Sequence, residues 1–168
     1  MPLPADFATE CLYTPEHWYI HDLLEVDPAL GLVRGAVDTT RLGALVDAQN
    51  VSPGHPAHVP GAVMVQITAT LGNLHAVYVL GLRPSAGWSG FGTHVRGARF
   101  PTLGRIGPPM EVELRTTRHR RLRGRHFVDY AFRYLQEGRE VYVSEQAAIW
   151  FQGAAPEADP TPYGEGAA

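Results

Sequence analysis

Two histidines, His55 and His58, stand in a proline- and glycine-rich stretch that runs straight into an apolar segment. Asn50 to Thr70 reads NVSPGHPAHVPGAVMVQITAT. An imidazole titrates near neutral pH, so either ring could act as a general base or donate a hydrogen bond to a carbonyl. Pro53, Pro56 and Pro60 stiffen the chain around them and hold its polar groups in place. If a helix starts at Gly61, the amides of Gly61 and Ala62 lack intrahelical partners, and the helix dipole favours negative charge there. Such an amide polarises a carbonyl and stabilises its oxyanion. Gly61 has no side chain, so a substrate could approach closely. One turn on, Gln66 is the first polar side chain of an apolar run, placed to orient substrate or water. The candidate catalytic residues are therefore His55, His58 and Gln66, with Asn50, Gly61, Ala62 and Met64 as the candidate substrate-binding set.

These residues need a scaffold, and the hydrophobic pattern supplies one. Val63, Ile67, Leu71, Leu74 and Tyr78 recur at helical spacing, which predicts a helix over 61–80 ended by Gly81 and Pro84. Upstream, Trp18 to Val26 and Leu32 to Val37 read as two strands split by the turn-rich Asp27–Gly31. Residues 41–60 are irregular, because their prolines block a continuous helix or a central strand.

After Gly87 the pattern is β. Gly90 to Phe100 is interrupted by glycine. Met110, Val112 and Leu114 alternate with charged residues; Val128, Tyr130, Phe132 and Tyr134 share one face; Val141, Val143, Ala147, Ile149 and Phe151 share another. Tight links are expected at Gly107–Pro109, Arg121–Gly124 and Glu137–Arg139. This order predicts an α+β fold in which one long helix is wrapped by a five- or six-stranded antiparallel sheet. A single domain spans 1–151, with residues 1–14 loosely held. The Pro/Gly/Ala-rich end, 152–168, has too little apolar surface to offset the entropy of ordering and is expected to be a disordered tail.

Composition removes whole classes of chemistry. All 14 basic residues are arginine, so lysine Schiff bases and lysine-bearing phosphate loops are excluded. Cys11 is the only cysteine, which excludes an intrachain disulfide and a cysteine-based zinc cluster; no metal is expected. A net charge of −3 does not suit a polycation for nucleic acid or an anionic membrane. Residues 62–82 are long enough to span a bilayer but carry Gln66, Thr68, Thr70, Asn73 and His75, so a buried helix is expected instead. Met1 to Phe7 has neither a basic nor an apolar leader region, and the cytoplasm is the expected compartment. Arg115 to Arg125, RTTRHRRLRGR, concentrates guanidinium groups whose forks suit phosphate.

The loop and helix resemble the hotdog-fold β-hydroxyacyl-carrier-protein dehydratases of the FabA/FabZ type. The Pro-Gly-His-Pro…Pro-Gly loop before a buried helix carries the likeness. Leu23-Leu24-Glu25-Val26-Asp27, Gly97-Ala98-Arg99-Phe100 and Gly107-Pro108 extend it over residues 18 to 151. The resemblance implies a hotdog fold, paired chains and acyl sites at the dimer interface. It implies an acyl thioester on an acyl carrier protein or coenzyme A, whose phosphopantetheine is the only cofactor-like group. Dehydration or hydration is the family's reaction.

In that family a loop histidine works with an acid five residues after the glycine of the Pro-Gly pair. Here Gln66 stands at the acid's position, and the histidine's position falls on Ser52 or Val51, with His55 nearby. An amide cannot serve as a carboxylate acid or base. Thioester hydrolysis, acyl transfer, or a non-catalytic acyl-binding or heterodimer subunit therefore remain alternatives. His58-Val59-Pro60-Gly61 also resembles the A-factor-type hotdog domains, and Asp47, Asn50 and His55 supply the residue types of the hydratase-type hotdogs. For an acyl-carrier or coenzyme A partner, Arg118, Arg120, Arg121 and Arg123 are the expected docking residues.

Overall fold

The stretch with apolar residues every three or four positions is a helix, α3 (Gly61–Tyr78). Val63, Ile67, Leu71 and Leu74 along its length are all fully buried. It stops two residues before the expected end. Gly81 turns to φ 70°, and the Leu82 amide returns to the Ala76 carbonyl at 2.7 Å, which satisfies an orphan carbonyl of the last turn.

The computed structural model describes residues 1–153. Around α3 it curls one sheet of six antiparallel strands: β1 (Asp22–Asp27), β2 (Leu32–Val37), β3 (Trp88–Arg99), β4 (Met110–Leu122), β5 (Arg125–Gln136) and β6 (Arg139–Gln152). Their order across the sheet is β1-β2-β4-β5-β6-β3. This is the α+β architecture expected from the sequence. Two-residue turns join β4 to β5 and β5 to β6, with Arg123 and Gly124, then Glu137 and Gly138, all at positive φ. That twist matches the right-handed twist of the flanking strands.

Further expectations are corrected. Strand β1 begins at Asp22 rather than Trp18, because Pro15–His17 form a 3-10 turn and Tyr19 takes φ 58°. The segment at Gly107–Pro109 is not a hairpin link, since β3 pairs with β6 and the chain must cross to reach β4. On β6, Val141 and Phe151 of the expected row are buried while Val143, Ala147 and Ile149 are half-buried, and Tyr142, Ser144 and Trp150 of the opposite row are buried as well.

Within residues 1–14, expected to be loosely held, side chains pack on the domain. Phe7, in α1 (Phe7–Glu10), is fully buried and packs on Trp18 at 4.8 Å between ring centroids. Glu10 accepts from Arg83 Nη1 at 3.2 Å and from Ser85 Oγ at 2.6 Å. Gln152 closes β6, and the remainder of the expected tail, from 154, lies outside the described residues. Among the described residues no helix is long and apolar enough to cross a membrane.

Candidate functional site

The loop before α3 is fixed by its backbone. Ser52 and His55 exchange both main-chain hydrogen bonds, at 3.0 and 2.9 Å, so the Pro53-Gly54 link is a closed turn. Twelve residues upstream of α3, after the short helix α2 (Ala44–Asp47), the structure adds a residue that the sequence reading missed. Gln49 Nε2 donates to the His58 carbonyl at 2.7 Å, and its Oε1 accepts from the His58 amide at 3.3 Å. A side-chain amide thus imitates a strand partner and clamps His58. The signal available in sequence was only its polar type beside the loop. On its other side the loop is held by a bridge between His58 and Arg105, and by the Val59 amide on Gly104 at 2.8 Å.

His58 is half-buried, His55 is exposed, and their rings meet edge to face with centroids 5.0 Å apart. His58 Nδ1 lies 3.0 Å from the Pro56 carbonyl, which favours a protonated Nδ1 and leaves Nε2 as the outward acceptor. His58, Gly61 and Met64 line one cleft of about 240 Å³, together with Phe100, Leu103 and Gly104. Val63 and Met64 donate to the Pro60 carbonyl, so Gly61 and Ala62 are the helical amides left over.

The space over Gly61 is not open, however. A Cβ there would lie 3.0 Å from Phe100 Cζ, so the ring occupies the room that the missing side chain leaves. Phe100 is half-exposed and also packs on Tyr142 at 5.2 Å.

Gln66 does not join this cleft. Met64 and Gln66 are two residues apart, hence roughly 200° apart around the helix. Gln66 and Ala62 instead line a second cleft of about 320 Å³, with Tyr13, His17, Tyr19 and Leu45. Its Nε2 is buried without a hydrogen-bond partner among the described residues. Tyr19, in the same cleft, holds the left-handed conformation that bulky residues rarely adopt. Asn50 is exposed and lines neither cleft. Within one chain, then, the structure brings His55, His58, Gly61 and Met64 together and sets Ala62 and Gln66 on the other side of the helix.

The arginines lie elsewhere again. Arg118, Arg120, Arg121 and Arg123 are all exposed. Among the described residues the arginine ion pairs involve Arg34, Arg83, Arg105, Arg115 and Arg133, and not these four. The His58 cleft is tied to the start of β4, because Arg105 bonds Gln136 and Gln136 pairs with Met110. Arg121 is far along the same strand, on the order of 36 Å away at 3.3 Å per residue. At that end His119 Nε2 and His126 Nδ1 are 3.0 Å apart, and burial with the charge of His119 and Arg121 holds the His126 pKa down.

His75 is a core residue. It is fully buried and bonded at both ring nitrogens, to Thr116 Oγ1 at 2.7 Å and to the Tyr130 hydroxyl at 3.2 Å. Burial, helped by His119, pushes its pKa down to about 4, so the ring is neutral.

No protein-family model and no curated protein sequence matches this chain. Solved structures do match. The dehydratase heterocomplex ApeI:P from Xenorhabdus doucetiae aligns with a TM-score of 0.58 at 14% identity, over 92% of this chain and 93% of that one. A thioesterase from Haemophilus influenzae aligns with a TM-score of 0.57 at 15% identity, over 84% and 85%. A Streptococcus mutans protein bound to acetyl CoA aligns with a TM-score of 0.51 at 13% identity, over 78% and 88%. Identities this low speak for architecture alone, and the architecture agrees with the helix, strand order and sheet described above: this chain is a hotdog-fold protein.

Proposed function

We propose that this protein processes an acyl thioester carried on an acyl carrier protein or coenzyme A, by a dehydratase- or hydratase-like reaction. The observation that carries the reading is the cleft in which clamped His58 faces the leftover amide end of α3 among apolar side chains. In this scheme the Gly61 amide polarises the thioester carbonyl and His58 Nε2 moves the proton, with His55 packed against its ring. Phe100 swings off Gly61 to admit the carbonyl. Gln66 orients substrate or water from a second copy, since its own cleft faces away from His58.

A homodimer formed along the twelve-residue edge strand β3, which exposes Phe91 and Val95, supplies that second copy. Carrier phosphates are held by Arg118, Arg120, Arg121 and Arg123, which serve a site completed by the partner rather than the distant cleft of their own chain. No separate cofactor enters, and the reaction is cytoplasmic.

Thioester hydrolysis is the second reading, favoured by Gln66 standing where an acid would be needed to protonate a leaving hydroxyl. Solved neighbours include both a dehydratase and a thioesterase. A non-catalytic acyl-binding subunit is favoured by the Phe100 ring on Gly61. Incubation with 3-hydroxyacyl and 2-enoyl thioesters, followed by mass spectrometry, separates them. Loss or gain of water supports the first reading, release of free acid supports the second, and an unchanged panel contradicts both enzyme readings.

A further inference from the structure

Charge is sorted unevenly along this chain. Residues 115–128 hold six arginines and no acid, whereas 154–168 hold Glu157, Asp159 and Glu165 and no basic residue. The sheet register roots the second segment beside the first. Arg121 pairs with His126 across β4 and β5, and His126 pairs with Trp150 across β5 and β6. Two residues beyond Trp150, β6 ends at Gln152, at the same end of the sheet as the β4–β5 turn. From the strand spacing and rise, the backbones of Arg120 and Arg121 stand roughly 12–14 Å from Gln152.

The point of departure is fixed. Gln152 pairs with Trp88, its Nε2 donates to the Ala86 carbonyl at 3.1 Å, and Gly153 at φ 85° bends the chain out of the strand's line. Five residues carry the chain from Gln152 to Glu157 and seven to Asp159, spans of up to about 18 and 25 Å. Both acids therefore reach the hairpin. Its guanidinium groups are ready for them. Arg118, Arg120, Arg121, Arg123 and Arg125 are exposed, and the ion pairs among the described residues include none of them. Arg118 and Arg120 share one face of β4, and Arg125, opposite Leu122, continues that row. Like charges packed this closely on one face repel, and an anion relieves the repulsion.

We propose that the acidic segment 154–168 docks on the arginine hairpin of its own chain and competes there with phosphate-bearing ligands. The tether sets this choice of occupant, because a short linker gives an effective concentration on the order of millimolar without any second molecule. Guanidinium forks take carboxylates in the way they take phosphates, so one occupant excludes the other. A phosphate carries more charge than a carboxylate and displaces the segment once its concentration is high enough. The segment thus sets a threshold for ligand binding rather than a block. The competition rests on the reading that the hairpin holds carrier phosphates; the contact itself does not.

The test compares the full chain with a full-length variant, Glu157→Gln/Asp159→Asn/Glu165→Gln, whose changes all lie outside the sheet and α3. The arginine Nε–Hε resonances are followed by NMR, and inorganic pyrophosphate is the probe. At about 20 mM salt the resonances of the hairpin arginines should differ between the two proteins while those of Arg34 and Arg83 coincide, and at about 500 mM the difference should vanish. Pyrophosphate should bind the variant about threefold or more tightly at low salt and equally at high salt. Identical hairpin resonances, or equal pyrophosphate affinity at low salt, overturn the proposal. A difference that grows with protein concentration also overturns it, since the acids would then come from another copy. Pyrophosphate that moves no hairpin resonance in either protein counts against the phosphate-holding reading, and against the competition with it. Identical resonances in two proteins that both bind pyrophosphate count against the docked segment alone.

Discussion

The Phe100 ring lies over Gly61, near enough that an added Cβ would stand 3.0 Å from its Cζ. The first free amide of α3 is therefore covered by a half-exposed aromatic rather than open to solvent. Removing the ring should expose it. Phe100→Ala is expected to cost roughly 1–2 kcal/mol of stability, because only part of the ring is buried. Turnover of bulkier thioesters should rise at the same time. Denaturant melts and a substrate series check both parts, and a fall in turnover for every substrate would show the ring to be part of the site's floor.

Gln49 is expected to matter for the loop more than for the fold. Gln49→Leu removes its bonds to the carbonyl and amide of His58, a loss of about 1–3 kcal/mol concentrated locally. Hydrogen exchange at the His58 amide should speed up well beyond that of the α3 interior. Uniform acceleration through α3 would mean the clamp is global.

Stability should fall as the solution is acidified, in a window set by His75. Its folded pKa is about 4 against 6.5 for a free imidazole, so below pH 6.5 the unfolded chain binds the extra proton. The favourable contribution is complete above 6.5, declines as pH falls toward 4, and is gone below it; its ceiling is about 3 kcal/mol. Urea melts of the wild type and His75→Gln between pH 7.5 and 4 isolate this ring from the carboxylates. The wild type should lose stability more steeply than the variant, and parallel profiles would contradict the assignment.

The N-terminal segment should behave as core. Phe7→Ala is expected to cost about 3–5 kcal/mol, the usual loss for a fully buried aromatic. A change below 1 kcal/mol would mean that the segment comes away from the domain in solution.

Much of the architecture was legible in the residues. The spacing of Val63, Ile67, Leu71 and Leu74 located α3 because one apolar stripe at helical period has one way to be buried. Strand β6 was only partly legible because both of its faces are apolar: Val141 and Phe151 of the expected row are buried, but so are Tyr142, Ser144 and Trp150 of the other, while Val143, Ala147 and Ile149 are half-buried. Burial of Ser144 and half-burial of Gln146 are tertiary facts with no local pattern. The candidate site was half legible. His58, Gly61 and Met64 do converge, since a short loop and one helical turn separate them. Gln66 looked adjacent in sequence but lies across the helix, and Phe100 reaches Gly61 from a distant strand end.

Restoring a carboxyl group at position 66 tests the role of the amide. Gln66→Glu places an acid where dehydratases of this fold are expected to have one, in surroundings that raise a carboxyl pKa by burial. Dehydration should increase about tenfold or more if a missing acid limits the rate. An unchanged rate would place the limit elsewhere.

The central claim is that the His58 cleft moves a proton on an acyl thioester, and single-turnover kinetics of His58→Ala on a 3-hydroxyacyl thioester address it directly. The account predicts a loss of about 10²–10⁴-fold in the chemical step, with the melt unchanged and His55→Ala much milder. Unchanged turnover in folded His58→Ala would contradict it.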